Sequence, residues 1–182
     1  MAKPAWRELK VVDVDSARLS VWTLAVDYVD PGRLLKMTVA EVSAPKQESP
    51  VANETPLVKK GEPETKTETP PPKQPTTQQT WSLSPTEQVN ANGLPVMASR
   101  TSLLLSTAPR GALIGKIGGS TADVPAATDA ADPESHQRLF AVGAFCVVEV
   151  GAKGGPLFLT MNDDLGNFNR HHGILHVTVE ES

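Results

Sequence analysis

The sequence predicts an all-β sandwich, on three observations. Apolar and polar residues alternate over short runs, Gly, Pro and Asn clusters separate those runs at hairpin spacing, and no stretch keeps a 3.6-residue apolar period beyond two turns. Arg18–Val29 alternates, with Trp22, Leu24, Val26 and Tyr28 on one face and Thr23, Ala25 and Asp27 on the other. The larger apolar set is the expected buried face. Asp30-Pro31-Gly32 then predicts a tight turn, because proline presets φ and the glycine after it accepts a positive one. Leu34–Val42 follows with Leu35, Met37 and Val39 in phase, so the pair reads as a hairpin.

Further along, Trp81-Ser82-Leu83 and Ser102–Ser106 read as short strands separated by the turn-rich Asn90-Ala91-Asn92-Gly93. Gly111–Ile117 is another strand, stopped by Gly118-Gly119. Leu139–Val150 is a long apolar stretch in which Gly143 marks a bend or bulge. Pro156–Met161 places Leu157, Leu159 and Met161 on one face, and Gly173–Val179 does the same with Leu175, Val177 and Val179.

The strongest compositional break lies between Ser43 and Thr80. Eight of the 16 prolines fall there, no aromatic residue does, and the charges alternate in sign from Lys59 to Glu68. Such a segment buries too little apolar surface to offset the roughly 1–2 kcal/mol of backbone entropy lost per ordered residue. It is expected to be a disordered, polyproline-like insertion into a single domain spanning 1–182. Loop-closure entropy grows only logarithmically, so a tolerated surface loop is preferred over a docking peptide.

Length and charge narrow the function. A chain of 182 residues suits one domain, and a net charge of −4 has the wrong sign for general attraction to nucleic acid or an anionic bilayer. One cysteine, Cys146, excludes an internal disulfide and a Cys-rich zinc module. Flanked by Phe145 and Val147, it suits a buried, inert thiol in a reducing compartment. The charged N-terminus shows no secretory h-region and no apolar run approaches a membrane span, so a cytoplasmic location is expected. No G-x-S-x-G, H-E-x-x-H or phosphate-cradling glycine loop is present, and a non-enzymatic role is expected.

The most polar tract of the folded part runs from Asn162 to Gly173, between the last two expected strands. Carboxylates and amides around a glycine supply the oxygens a hard cation such as Ca²⁺ requires, but the tract lacks EF-hand spacing. Asp, Asn and Gly also make plain turns, and on this feature alone that reading is preferred.

The same tract belongs to an ordered set of matches. Gly111-Ala112-Leu113-Ile114-Gly115-Lys116-Ile117-Gly118 is followed by Gly155-Pro156-Leu157-Phe158-Leu159-Thr160-Met161-Asn162-Asp163. Then come Gly166-Asn167-Phe168 and Gly173-Ile174-Leu175-His176-Val177-Thr178-Val179. With the opening through Val29-Asp30-Pro31-Gly32, these pieces resemble the bacterial calcium-dependent galactose-binding (galactophilic) lectins over about residues 1–42 and 81–182. The resemblance implies a jelly-roll β-sandwich, often a homo-oligomer, with a Ca²⁺ at one end bridging protein and the hydroxyls of a glycan such as a galactoside.

By that resemblance Asp163 stands at a calcium-ligating aspartate and Asn167 at a further oxygen ligand, with Asp164 beside them. Two consecutive asparagines of the family are replaced by Arg170 and His171. A guanidinium has no acceptor and repels a divalent cation, at a cost of several kcal/mol for charges ~4 Å apart at an effective dielectric near 20. Either Arg170 turns outward, or it takes the cation's place and pairs with Asp163 or Asp164; the second is expected, which puts the calcium itself in question. Asp163, Asp164, Asn167, Arg170 and His171 are thus the expected ligand-binding residues, and Asp163 and Asn167 the expected metal ligands.

Three functions follow, in order of preference. The first is a non-catalytic, galactophilic-lectin-like glycan-binding module. The second is a protein-interaction or structural domain that keeps the scaffold without sugar binding. The third is a metal-dependent hydrolase using Asp163 with His171, His172 and His176. It is disfavoured because residues 172 and 176 of an extended strand stand roughly 13 Å apart.

Overall fold

A computed structural model describes residues 5–17, 20–43, 76–95, 102–122 and 138–182 of the chain. Its strands, in chain order, are β1 (Arg7–Asp15), β2 (Thr23–Val29), β3 (Leu34–Val39), β4 (Glu41–Ser43), β5 (Thr76–Gln78), β6 (Thr80–Ser84), β7 (Glu87–Asn90), β8 (Leu113–Ile117), β9 (Arg138–Ala141), β10 (Phe145–Glu149), β11 (Gly155–Met161) and β12 (Ile174–Glu181). One 3-10 helix, Leu165–Arg170, lies between the last two. The fold is all-β with antiparallel sheets. One four-stranded sheet has the order β1-β12-β3-β10 and another β2-β11-β8-β9, with β4-β5 and β6-β7 as separate pairs. No helix of the described residues is long and apolar enough to cross a membrane.

Period-2 patterning decides which side chains meet. Leu35, Met37, Leu175, Val177 and Val179 from the first sheet and Leu113, Leu157, Leu159 and Met161 from the second are all fully buried and belong to one core cluster. Burying a side chain of this size contributes about 1.5–3 kcal/mol. A second cluster lies against Ile114 and Phe158, built from Trp22, Leu104, Leu105, Ala108, Leu139 and Phe168. Phe158 and Leu159, neighbours on β11, therefore serve different clusters, which accounts for a strand buried almost throughout.

Several expectations change on contact with the fold. The alternation of β2 is present with the opposite face inward: Thr23, Ala25 and Val29 are buried, while Leu24 and Tyr28 are exposed. Trp22 is buried just ahead of the strand, in the second cluster. The expected hairpin is a crossover, since β2 and β3 belong to different sheets. Gly32 does turn the chain at φ 74°, and its N–H donates to Val150 (2.9 Å), which ties the crossover to the end of β10. Ser102–Ser106 is a buried loop instead of a strand. Leu139–Val150 divides at Gly143 (φ 62°) into β9 and β10, each in a different sheet. There the Asn92 side chain accepts the Ala144 N–H at 2.9 Å, and a Cβ on Gly143 would lie 2.7 Å from the same oxygen.

Most of the Ser43–Thr80 insertion, residues 44–75, lies outside the described residues. Its margins are strands: Ser43 pairs with Thr76, Val42 with Thr77 and Glu41 with Gln78, and Thr80 opens β6. The segment thus leaves and re-enters the fold at facing positions. Replacing 44–75 with a short Asn-Gly turn shortens the closed loop by about four doublings. It should hold or raise stability, by up to roughly 2 kcal/mol, in urea unfolding followed by circular dichroism. A clear loss of stability would show that the segment contributes to the fold.

Candidate functional site

Strand β11 ends at Met161, and the next two residues organise everything at that end of the molecule. Asn162 has no exposed surface. Its Nδ2 lies 2.9–3.1 Å from the carbonyl oxygens of Leu105, Ala108 and Pro109, and its Oδ1 accepts the Leu105 N–H at 2.9 Å. One side chain thereby supplies backbone partners to a buried loop that has no strand to pair with. The main chain adds to this, with Gly111 N–H donating to Asn162 O (2.7 Å) and Asn162 N–H to Ala112 O (2.8 Å). Arg110 is carried on the pinned segment.

Asp163 is likewise fully buried. Arg110 grips it with two hydrogen bonds, Nε to Oδ1 and Nη2 to Oδ2, both 2.9 Å, the fork geometry that makes Arg–carboxylate pairs strong. Oδ1 also accepts the Asp164 N–H (2.7 Å) and Asn167 Nδ2 (3.3 Å), and Oδ2 lies 2.9 Å from His171 Nε2. A carboxylate accepts only, so Nε2 carries the proton. Nδ1 is buried with no hydrogen-bond partner among the described residues. On its outer side Arg110 Nη1 approaches Glu87 at 3.5 Å.

The 3-10 helix makes this convergence possible. Asp164 caps it, its side chain accepting the Gly166 N–H at 2.9 Å, and Asn167 N–H donates back to Asp164 O at 2.9 Å. Phe168 is buried and packs against His171, ring centroids 5.0 Å apart and tilted by 57°. The turn so anchored returns Asn167 and His171 to Asp163.

Burial pushes the Asp163 carboxyl up, but hydrogen bonds from His171, Arg110 and the Asp164 N–H, with the Arg110 charge, outweigh it. They hold the group well below the usual carboxylate range. The same bond to Asp163 raises Arg110 further.

The expected site residues divide. Asp163, Asn167 and His171 come together, and Asp164 joins them through its backbone. Arg170 is exposed at the end of the helix, and the guanidinium on Asp163 belongs to Arg110. The expected pairing of Arg170 with Asp163 is therefore corrected: the helix turns position 170 outward and position 171 inward. The atoms in hydrogen-bonding contact with Asp163 are all placed as donors to its carboxylate.

The histidines separate as well. His172 is exposed and its backbone pairs with Ser82, while His176 Nδ1 sits 2.5 Å from Asp13 Oδ1. No group of three His, Cys, Asp or Glu among the described residues is placed to hold a metal. Cys146 is half-buried, and burial pushes its thiol up. Arg110 and Asn162 are the residues sequence reasoning passed over. Arg110 stood next to the Gly111–Gly118 match and Asn162 inside the polar tract, but nothing in the sequence announced their contacts.

No protein-family model matches the chain, and no curated protein matches it.

Two measurements test the corner. Arg110→Met leaves a buried carboxylate without its counter-charge and should cost about 3 kcal/mol in urea unfolding, with Arg110→Met/Asp163→Asn recovering part of it. Asp163 has a lower pKa folded than unfolded, so its contribution is complete above the unfolded value near 4 and fades as pH falls below it. Stability measured from about pH 5 down to 2 should drop more steeply in the wild type than in Asp163→Asn. Equal slopes would remove the buried ion pair as its cause.

Proposed function

We propose that this chain is a non-catalytic glycan-binding module on a galactophilic-lectin-like jelly-roll sandwich, and that it works without calcium. The ordered sequence matches support the lectin-like part. Two of those pieces, Gly111–Gly118 and Gly155–Asp163, contain β8 and β11, which pair with each other and lead into the Asp163 loop. The observation that carries the calcium-free reading is the bidentate Arg110 clasp on Asp163, which occupies both carboxylate oxygens with hydrogen-bond donors. A cation would have to displace a guanidinium and leave its charge partly buried, at a cost of several kcal/mol.

The second reading is an interaction or structural domain that keeps the scaffold and binds no sugar. The fully engaged Asp163 favours it, because the carboxylate there holds the protein's own loops. Calorimetric titration with galactosides in calcium and in EDTA separates the two. Equal binding in both buffers is the expected result. Binding only with calcium would overturn the clasp argument, and silence in both from folded protein would favour the second reading.

A further inference from the structure

A cavity of about 420 Å³ opens beside the outer face of the β3–β10 pair, with no residue in common with the Asp163 corner. Its size falls in the roughly 300–1,000 Å³ range of small-ligand sites. Thr38, Glu41, Gln79, Ala91, Ala144 and Phe145 line it. Phe145 and Thr38 are directly cross-strand, so a ring and a hydroxyl stand side by side. Phe145 is 61% exposed, unlike Phe158 and Phe168, which are buried. An uncovered phenyl ring at a cavity mouth is a platform awaiting an apolar face.

The polar groups are arranged around that ring. Gln79 is oriented by the His176 N–H, which donates to its Oε1 at 2.7 Å, and it therefore offers its NH₂ as a donor. Glu41 enters no ion pair with the described residues and offers a carboxylate acceptor. Thr38 supplies both functions. Among the described residues no Lys, Arg or His lines the cavity, and a carboxylate does, which does not suit an anion. A single phenylalanine is a poor cage for an organic cation, which calls for several aromatic walls and favours Trp or Tyr. A ring with one face of C–H groups and a rim of hydroxyls uses all four elements at once.

We propose that this cavity is a saccharide-binding site that takes a neutral sugar ring stacked on Phe145, with hydroxyls held by Glu41, Gln79 and Thr38. The proposal rests on the glycan-binding reading and locates that binding away from Asp163. The test uses the full chain in EDTA. Saturation-transfer NMR and calorimetry are run with galactose, lactose, glucose, maltose and cellobiose, and with choline as the organic-cation probe.

At least one saccharide should bind. Phe145→Ala should weaken it by about tenfold or more, while Phe145→Trp retains it and Tyr28→Ala, on the other sheet, leaves it unchanged. Phe145 is largely exposed, so its variants should keep the wild-type melting temperature. Saccharide binding untouched by Phe145→Ala would overturn this site and leave the glycan-binding reading standing. Absence of saccharide binding in folded protein would overturn both, and binding of choline without any sugar would reassign the cavity to a cation.

Discussion

A carboxylate with no access to water has to be neutralised from within the protein, and the end of this molecule is built around that requirement. Asp163 is the fixed point. Arg110 reaches it from the 102–110 loop, and Asn167 and His171 reach it from the 3-10 helix. Two connections with little secondary structure of their own are thereby tied to the end of β11. Ion pairs of this kind add little stability relative to a well-packed apolar substitute, but breaking one partner is costly.

Asn162 prepares the ground for that clasp. By satisfying the loop backbone it lets Leu103, Leu104 and Leu105 be buried without a strand ladder. Two buried nitrogens in this region have no partner among the described residues, His171 Nδ1 and Trp22 Nε1, and an unpaired buried polar atom costs about 1–3 kcal/mol. Lys116 shows a similar economy on the outer side of β8. It has no exposed surface, yet its Nζ donates to Ser120 O (2.7 Å) and lies 4.7 and 4.9 Å from the Trp22 and Phe158 rings. Among the described residues, charge is kept inside only where partners surround it.

The strands with one consistently apolar face were readable from sequence. Leu35, Met37 and Val39 in β3, Leu157, Leu159 and Met161 in β11, and Leu175, Val177 and Val179 in β12 alternate in phase, and all of those side chains are buried. Reading failed where the smaller of two apolar sets packs inward or where burial was local. In β2 both faces carry apolar residues, and composition could not say that the smaller set packs inward. Leu103-Leu104-Leu105 looked like a strand because three leucines imply burial, while the device that buries them as a loop is an asparagine 57 residues away. The candidate site behaved the same way. Asp163, Asn167 and His171 lie close in sequence and could be grouped, whereas Arg110 is 53 residues from its partner. The identity of a counter-ion supplied across that distance is a property of topology.

The position of β12 has a consequence for how the chain becomes a protein. Ile174–Glu181 lies between β1 and β3, so the earliest strand, β1, pairs with the latest and touches no other strand of its sheet. Without β12, the backbone of Val11 and Val12 has no ladder partner in this sheet. A chain cut before Ile174 would therefore leave β1 and β3 with bare facing edges, the kind of unpaired backbone that pairs with other chains.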